Sequence, residues 1–494
     1  MTVKGDEIEA ALARWPEGAT AVKVRDYREI WRMNVGDRAV YLKWFPRGGV
    51  GTVAWAKRLV RGDPALREYG NLVRLQKAAV PSPTAVAFLS GARLGGRTGD
   101  AVMSWALEPS EPLDVMLHRC KREGLPIPGR RALFAEVMSI LAGLLRAKLG
   151  HSDLHFGNFL AHAGRLHLLD AYSVHGGGMT VGDLEVLGHA AQSHATRTEL
   201  LRGWRALTGS NDPPPPAATK TSKRQWRKTV ERALTPSGYA GRIELAGWRG
   251  MFFKHHRFPL RHAPASGLSV EVGDWEREFP RLWEEVCGET LRPLKRSASG
   301  DVWAGEVVLG GVPVEVVVKR PLRSKAYRYV TEIGRGSRAW RAWKKSWMLI
   351  ARGIPTAWPL LVMEKKTLGA VADQLIVCEK VQGEQLDGVD LDQAGPDLRD
   401  VLLRRVGRVL RRIDDTGIVH FDTKASNIMI RGDELLGPGP VLVDVDGVRG
   451  YSWRGEGLRR LDRSMRDHHP HFTETDAASL RFGYDPFANN GGTT

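Results

Sequence analysis

The chain has 494 residues, too many for one hydrophobic core, and its 42% hydrophobic and 26% charged make-up excludes disordered and fibrous classes. Cys120, Cys287 and Cys378 lie far apart with no CxxC pair, which excludes a disulfide framework and a cysteine-based zinc site. A formal charge of +17 favours anionic partners such as nucleic acid, phospholipid head groups or phosphorylated glycolipid, although an arginine-rich composition serving solubility gives the same balance. The opening Met1–Glu7 stretch lacks the apolar segment of a secretory signal, and no run of about 18 apolar residues occurs, so the expectation is a cytoplasmic chain.

In chain order, residues 20–45 read as two short strands with a turn at Val35-Gly36-Asp37-Arg38, the second ending in Lys43-Trp44-Phe45. Asp63-Pro64 opens a helix carrying Glu68, Leu72 and Leu75, which stops before Val80-Pro81. A strand at Ala101–Trp105 follows. Leu133, Val137, Ile140, Leu141, Leu144 and Leu145 then mark a long amphipathic helix. It delivers the chain into His151-Ser152-Asp153-Leu154-His155-Phe156-Gly157-Asn158, and Leu166–Asp170 reads as a strand capped by an acid. Leu- and Arg-rich helices run on to Leu207. Asn211, Asp212 and Pro213 to Pro216 break regular structure, and Lys220 to Arg232 is a basic run, expected to be a solvated helix face.

From about residue 270 the order returns. Val307–Leu309, a Gly310-Gly311 turn and Val314–Lys319 repeat the hairpin that ends in lysine. A helix from Ser337 carries Trp340, Trp343 and Trp347, a stripe expected to be core rather than a sugar platform, and ends before Gly353-Ile354-Pro355. Leu375–Glu379 is the next strand. Leu398, Val401, Leu402, Val409, Leu410 and Ile413 line a helix leading into His420-Phe421-Asp422-Thr423-Lys424-Ala425-Ser426-Asn427, and Pro440–Asp444 repeats the acid-capped strand. Lys43 precedes Asp153 by 110 residues and Lys319 precedes Asp422 by 103; in both copies Asn follows Asp by five. A period near 270 residues is domain duplication, not a solenoid. The expected domains are 1–210 and 246–494, with a Pro-rich and basic linker at 211–245.

An Asp, an Asn five positions on and a third acid closing an apolar strand are what phosphoryl transfer from a nucleotide needs. The Asp takes the proton of the attacking hydroxyl, while Asn and the later acid hold magnesium on the phosphates. Single three-residue patterns arise by chance; two copies, each behind a strand-terminal lysine, are far more specific. His468, His469 and His471 with Asp467 form a weaker metal candidate, more in keeping with a surface turn because Pro470 interrupts it.

The chain resembles two tandem members of the lipopolysaccharide core kinase family (Kdo/heptose kinases), within the protein-kinase-like superfamily. The features that carry this are Lys43, Lys319, Glu68-Tyr69 with Val80-Pro81, Gly353-Ile354-Pro355, both catalytic loops, Asp170 and Asp444. The resemblance implies an α+β fold of two tandem bilobal domains, each with a small antiparallel-sheet lobe and a mostly helical lobe. It implies transfer of the ATP γ-phosphate to a sugar hydroxyl on lipid-linked core oligosaccharide, with Mg²⁺, at the cytoplasmic face of the inner membrane and in peripheral contact with that anionic surface. Nucleic acid is disfavoured as a partner. Asp153 and Asp422 are the implied bases; Asn158, Asp170, Asn427 and Asp444 the metal ligands; Lys43 and Lys319 the α/β-phosphate contacts.

The copies depart from the family pattern in different places. Glu68 stands where an acid pairs with Lys43, but the matching place in the second copy is Ala342, with Glu332 a displaced substitute. Lys424, able to neutralise a transferring phosphoryl group, is matched by His155 in the first copy. Ser297–Asp301 is the nearest candidate for a phosphate loop. Asp444 is preferred to Asp446 because Val443-Asp444 lines up with Leu169-Asp170. Three alternatives stay open: one copy is a pseudokinase, the acceptor is an aminoglycoside-like small molecule or a protein, or the pair is non-catalytic and binds an anionic surface.

Overall fold

Short turns between β-branched and aromatic segments fold the start of each half into an antiparallel sheet. The computed structural model describes residues 5–25, 28–47, 63–122, 127–191, 195, 197–209, 219–254, 270–322, 336–431, 439–451 and 453–485. The chain divides into two compact units, Met1–Lys121 with Leu125–Pro214, and Pro215–Thr494 with Arg122–Gly124.

In the first unit the sheet runs in the order Ala19–Arg25, Arg28–Val35, Arg38–Pro46, Arg97–Trp105, Ala85–Leu94. The stretch expected to hold two strands holds three, because Arg25 turns back to pair with Arg28 before Val35 pairs with Arg38. Ala85–Leu94 has no counterpart in the sequence reading. Most of its residues are half-buried, so the alternation that marks a strand is weak. Lys43 lies inside the sheet between Ile30 and Val102. The Pro64–Lys77 helix begins where expected, with Asp63 Oδ1 accepting from Ala65 N at 2.8 Å. It ends with Val80 N donating back to Leu75 O at 3.0 Å, over Ala79 in the left-handed region at φ 52°. Below the sheet, Val137, Ile140, Leu141 and Leu144 of the Arg130–Arg146 helix pack into a core with Leu149, Leu154, Phe159 and Leu168.

The second unit repeats this arrangement within a larger sheet, ordered Ala240–Leu245, Trp248–Phe253, Pro359–Thr367, Ala370–Glu379, Val312–Pro321, Gly300–Leu309, Arg292–Lys295. The last five strands repeat the first unit's sheet in reverse listing. The Arg338–Ala351 helix is capped by Ser337 Oγ on Trp340 N and buries Trp343 and Trp347 completely, so those rings are core. It closes as its counterpart does: Ile354 N donates to Leu349 O at 3.0 Å, here over Gly353, which takes φ 63° without a side chain to oppose it.

The part of the expected linker over 219–245 holds regular elements grouped with the second unit. Lys220–Leu234 is a helix whose basic residues face solvent, while Trp226 and Ala233 are buried; Trp343 Nε1 donates to Ala233 O at 3.0 Å, and the Arg352 guanidinium lies 4.7 Å over the Trp226 ring. Ala240–Leu245 is an edge strand of the sheet. Composition signals charge but not the one apolar stripe that ties such a helix down. Residues 210–218, with the proline run, lie outside the described residues. Leu398 and Val401 are also exposed; Leu402, Leu403, Val406, Leu410 and Ile413 carry the buried stripe of Gly395–Asp415.

Each unit has the α+β, bilobal build of a protein kinase, a small antiparallel sheet carrying a lysine and a capped helix, followed by a mostly helical half.

Candidate active site

The loop after each long helix is held by matching hydrogen bonds in both copies, which differ only in the carbonyl that the histidine Nε2 meets, one residue further on in the second. In the first, Asp153 N donates to His151 Nδ1 at 3.3 Å, His151 Nε2 lies 3.3 Å from Leu169 O, Asn158 Nδ2 donates to Asp153 O at 2.7 Å, and Leu169 N donates to Asn158 O at 2.7 Å. In the second, Asp422 N meets His420 Nδ1 at 3.2 Å, His420 Nε2 meets Asp444 O at 2.7 Å, Asn427 Nδ2 meets Asp422 O at 2.9 Å, and Val443 N meets Asn427 O at 3.0 Å. Each histidine accepts at Nδ1 and donates at Nε2, which is the neutral ring. Burial lowers the pKa of both, consistent with that tautomer. The histidine is therefore a strut that fixes the Asp beside it. Gly447 must be glycine for the same packing, since a Cβ there would come within 2.5 Å of Asp422 N.

Each sheet lysine contacts the segment that follows its loop, Lys43 at Asp170 and Lys319 at Val443. Lys43 pairs with the buried Glu68 of the Pro64–Lys77 helix and lies 4.0 Å from Asp170 Oδ1. Asn71 of the same helix donates to Ala171 O and Val174 O, each at 2.8 Å, so one helix positions both the lysine's partner and the acid's loop. Asp170 takes the left-handed conformation at φ 54° and accepts from Ser173 Oγ at 3.0 Å. Arg28, which sequence reasoning missed, reaches Asp170 at 3.5 Å from the start of the second strand.

Lys319 behaves differently. The Arg338–Ala351 helix contains no acid, and Ala342 stands where Glu68 does; Lys319 Nζ donates instead to Val443 O at 2.7 Å. Glu332 lies outside the described residues. Burial opposes ionisation of Asp444, but Lys319 and the Asp446 N–H outweigh it and its pKa falls below the ordinary carboxylate value. Asp446 points to other partners: Arg338 Nη2 sits 3.0 Å from its Oδ2, while Arg338 Nη1 donates to Ser299 O at 2.6 Å. That geometry favours Asp444 over Asp446 beside the lysine. It also puts Ser297–Asp301 in the turn that leads into the hairpin of the Lys319 strand. Arg338 has no local sequence signal, since its contacts lie 39 and 108 residues away.

The two loop aspartates, Asp153 and Asp422, differ in their neighbours. His155 Nε2 lies 3.6 Å from Asp153 Oδ2; this close pairing holds the Asp153 pKa down and raises that of His155. Lys424 Nζ lies 3.6 Å from Asp422 Oδ2, and Asn427 Nδ2 donates to the same oxygen at 3.1 Å. Among the described residues no cluster of three or more His, Cys, Asp or Glu forms a metal site. The His468–His471 region is structural: His469 Nε2 meets Val389 O at 2.9 Å and His471 pairs with Asp392 at 2.7 Å. In each Asp–Asn loop the Asn amide nitrogen is committed to the loop, so its oxygen, with one carboxylate, could serve a cation. Oxygen donors in that number suit Mg²⁺, which takes its remaining ligands from phosphates and water.

Glu379 closes the central strand of the second unit's sheet, and burial pushes its carboxyl up to about 7, against the pull of Arg431. A carboxyl whose folded pKa lies above its ordinary 4.5 stabilises the fold while protonated; that contribution is present below 4.5 and is lost as pH rises through about 7. Glu379→Gln is therefore expected to raise stability at pH 8 and leave it unchanged near pH 4. Denaturant titrations at the two pH values check this.

The family model for the lipopolysaccharide kinase (Kdo/WaaP) family matches this chain twice, over residues 14–171 and 322–484. No curated protein sequence matches. Among solved structures, WaaP in complex with acyl carrier protein is similar at 22% identity over 42% of this chain and 82% of that one, with a TM-score of 0.32. A crystal structure of WbdD is similar at 16% identity over 39% of this chain and 41% of that one, with a TM-score of 0.28. A structure of the bifunctional kinase-methyltransferase WbdD gives 17% identity over 37% and 39%, also at 0.28. With its family pattern matched in both halves, each match enclosing one copy of the duplicated Asp–Asn loop, the chain belongs to the lipopolysaccharide kinase (Kdo/WaaP) family.

Proposed function

We propose that the protein transfers the γ-phosphate of ATP to a sugar hydroxyl of lipopolysaccharide core (Kdo or heptose) or a related glycolipid, at the cytoplasmic face of the inner membrane. The observation that carries this reading is the duplicated hydrogen-bond set that brings base, amide, acid and sheet lysine together in each unit. Asp422, with its side chain 48% exposed, is open to an acceptor and takes the proton of the attacking hydroxyl. Lys424 beside it offsets charge that develops on the transferring group. Asp153 has the same place in the first unit. Mg²⁺, held by Asn158 with Asp170 and by Asn427 with Asp444, supplies neutralisation of the β- and γ-phosphates when bound. Lys43 and Lys319 contact the α- and β-phosphates. The net charge of +17 suits peripheral contact with an anionic membrane and an anionic glycolipid. Among the described residues no helix is long and apolar enough to cross a membrane.

A second reading, in which one half has lost transfer, draws on the unequal lysines: Lys43 pairs with Glu68, whereas among the described residues no acid takes that place beside Lys319, which bonds Val443 O. Phosphate transfer from labelled ATP, offered core oligosaccharide, an aminoglycoside or a generic protein, separates the acceptor classes. Labelling of the oligosaccharide is expected; labelling of the protein alone would overturn the glycolipid assignment.

A further inference from the structure

The residue before the second unit's catalytic Asp is aromatic, and two exposed rings gather around it. Phe421 N donates to Gly447 O at 3.0 Å, which fixes its backbone against the loop after Asp444. Its ring centroid lies 5.8 Å from that of Tyr451 and 6.2 Å from that of Trp453, at interplanar angles of 55° and 82°. Arg460 places its guanidinium 5.4 Å from the Phe421 ring centre. Tyr451 is 55% exposed and Trp453 61% exposed. Large rings held in place yet left open to water carry an unfavourable hydration that a ligand relieves.

The charge around the rings narrows the ligand. Arg454, Arg459 and Arg460 are all exposed, against one acid in the segment, Glu456, which Arg459 and Arg460 share. Lys424 adds a cation 3.6 Å from Asp422. Tyrosine and tryptophan offer flat apolar faces with a polar edge, which suits a ring that carries C–H groups on its face and hydroxyls at its rim. Guanidinium groups suit phosphate or carboxylate substituents.

The first unit lacks these features and so serves as an internal comparison. Val174 pairs with His151 as Val448 pairs with His420, which sets the two loops in register. In that register Ser152 stands for Phe421, Gly177 for Tyr451 and Met179 for Trp453. A shared scaffold does not call for the rings, since one copy folds without them.

We propose that Phe421, Tyr451 and Trp453, rimmed by Arg460 and Lys424, form the platform that seats an anionic saccharide acceptor beside Asp422, so that the second unit, not the first, reads the sugar. This rests on the kinase reading and names the half of the chain and the residues that recognise the acceptor.

The test titrates the full chain calorimetrically with a deacylated, phosphorylated core oligosaccharide. Neutral maltohexaose and vesicles of one part phosphatidylglycerol to three parts phosphatidylcholine are run in parallel. Trp453→Ala is expected to weaken oligosaccharide binding about tenfold, as loss of a central aromatic contact does. Trp453→Phe keeps a ring and is expected to stay within about threefold, the range of a mild substitution. Maltohexaose is expected to bind far more weakly than the phosphorylated probe. Unchanged oligosaccharide affinity in both Trp453→Ala and Tyr451→Ala overturns the proposal, as does Trp453-dependent binding of vesicles without binding of the oligosaccharide. Magnesium-dependent ATP binding, measured on the same samples, reports on the kinase reading alone. ATP binding with a Trp453-independent oligosaccharide affinity removes the platform and leaves the kinase standing.

Discussion

Asp422→Ala is expected to lower phosphate transfer from ATP to the oligosaccharide by about 10²–10⁴-fold, the contribution of a positioned general base. The residue is well placed for a clean test. Its side chain is half exposed, so its loss leaves no buried hole, while its backbone stays fixed by His420 and Asn427. Lys424 loses a neighbour at 3.6 Å but remains hydrated, so the fold is expected to survive. Asp153→Ala measures the first unit in the same way, and the double variant is expected to lose transfer to background. Because the aromatic platform stands only beside Asp422, the larger single loss is expected there. Initial rates with labelled ATP check all three. Transfer that persists in the double variant would remove both residues from the role of base, and a larger loss at Asp153 would move the acceptor to the first unit.

The second large effect is on stability. Lys43→Met is expected to cost the first unit about 3–5 kcal/mol, because it leaves the Glu68 carboxylate buried without its partner. Glu68 is 2% exposed, and among the described residues its Oε2 has no hydrogen bond and no second donor stands ready. Lys319→Met removes a bond to a backbone carbonyl and the cation that lowers the Asp444 pKa, but Asp444 is less buried than Glu68 and keeps the Asp446 N–H, so a smaller cost of about 1–2 kcal/mol is expected in the second unit. Adding Glu68→Leu to Lys43→Met is expected to return most of the loss, since an apolar residue needs no counter-ion. The two units need not unfold together, so scanning calorimetry that resolves separate transitions is the measurement. Equal shifts from Lys43→Met and Lys319→Met would contradict the difference drawn between the two lysines.

What the sequence made legible was what it carries at fixed spacing. Asp153 with Asn158, and Asp422 with Asn427, lie within one loop each, and strand-ending acids follow at short range; their type and order suffice to place them. Glu68 came from the family pattern, and its counterpart Ala342 was readable because Val80-Pro81 and Ile354-Pro355 end two helices with the same backbone turn. The contacts that escaped are through space and irregular in the chain. Arg28 reaches Asp170 across 142 residues, and Arg338 reaches Asp446 across 108. Neither follows a period of two or 3.6. The helix Lys220–Leu234 was hidden for a different reason: twelve polar or small residues surround Trp226, Val230 and Leu234, so composition outweighs the apolar face that docks it. Trp453 was hidden because a lone exposed aromatic has no pattern until Phe421 and Tyr451 are folded against it.

The most direct test of two nucleotide clefts is a calorimetric titration of the full chain with ATP, with and without Mg²⁺. Two magnesium-dependent sites are expected in the unaltered protein, one in Asp170→Ala, one in Asp444→Ala and none when both are replaced. An ATP stoichiometry that neither substitution changes, or binding indifferent to magnesium, would contradict the account.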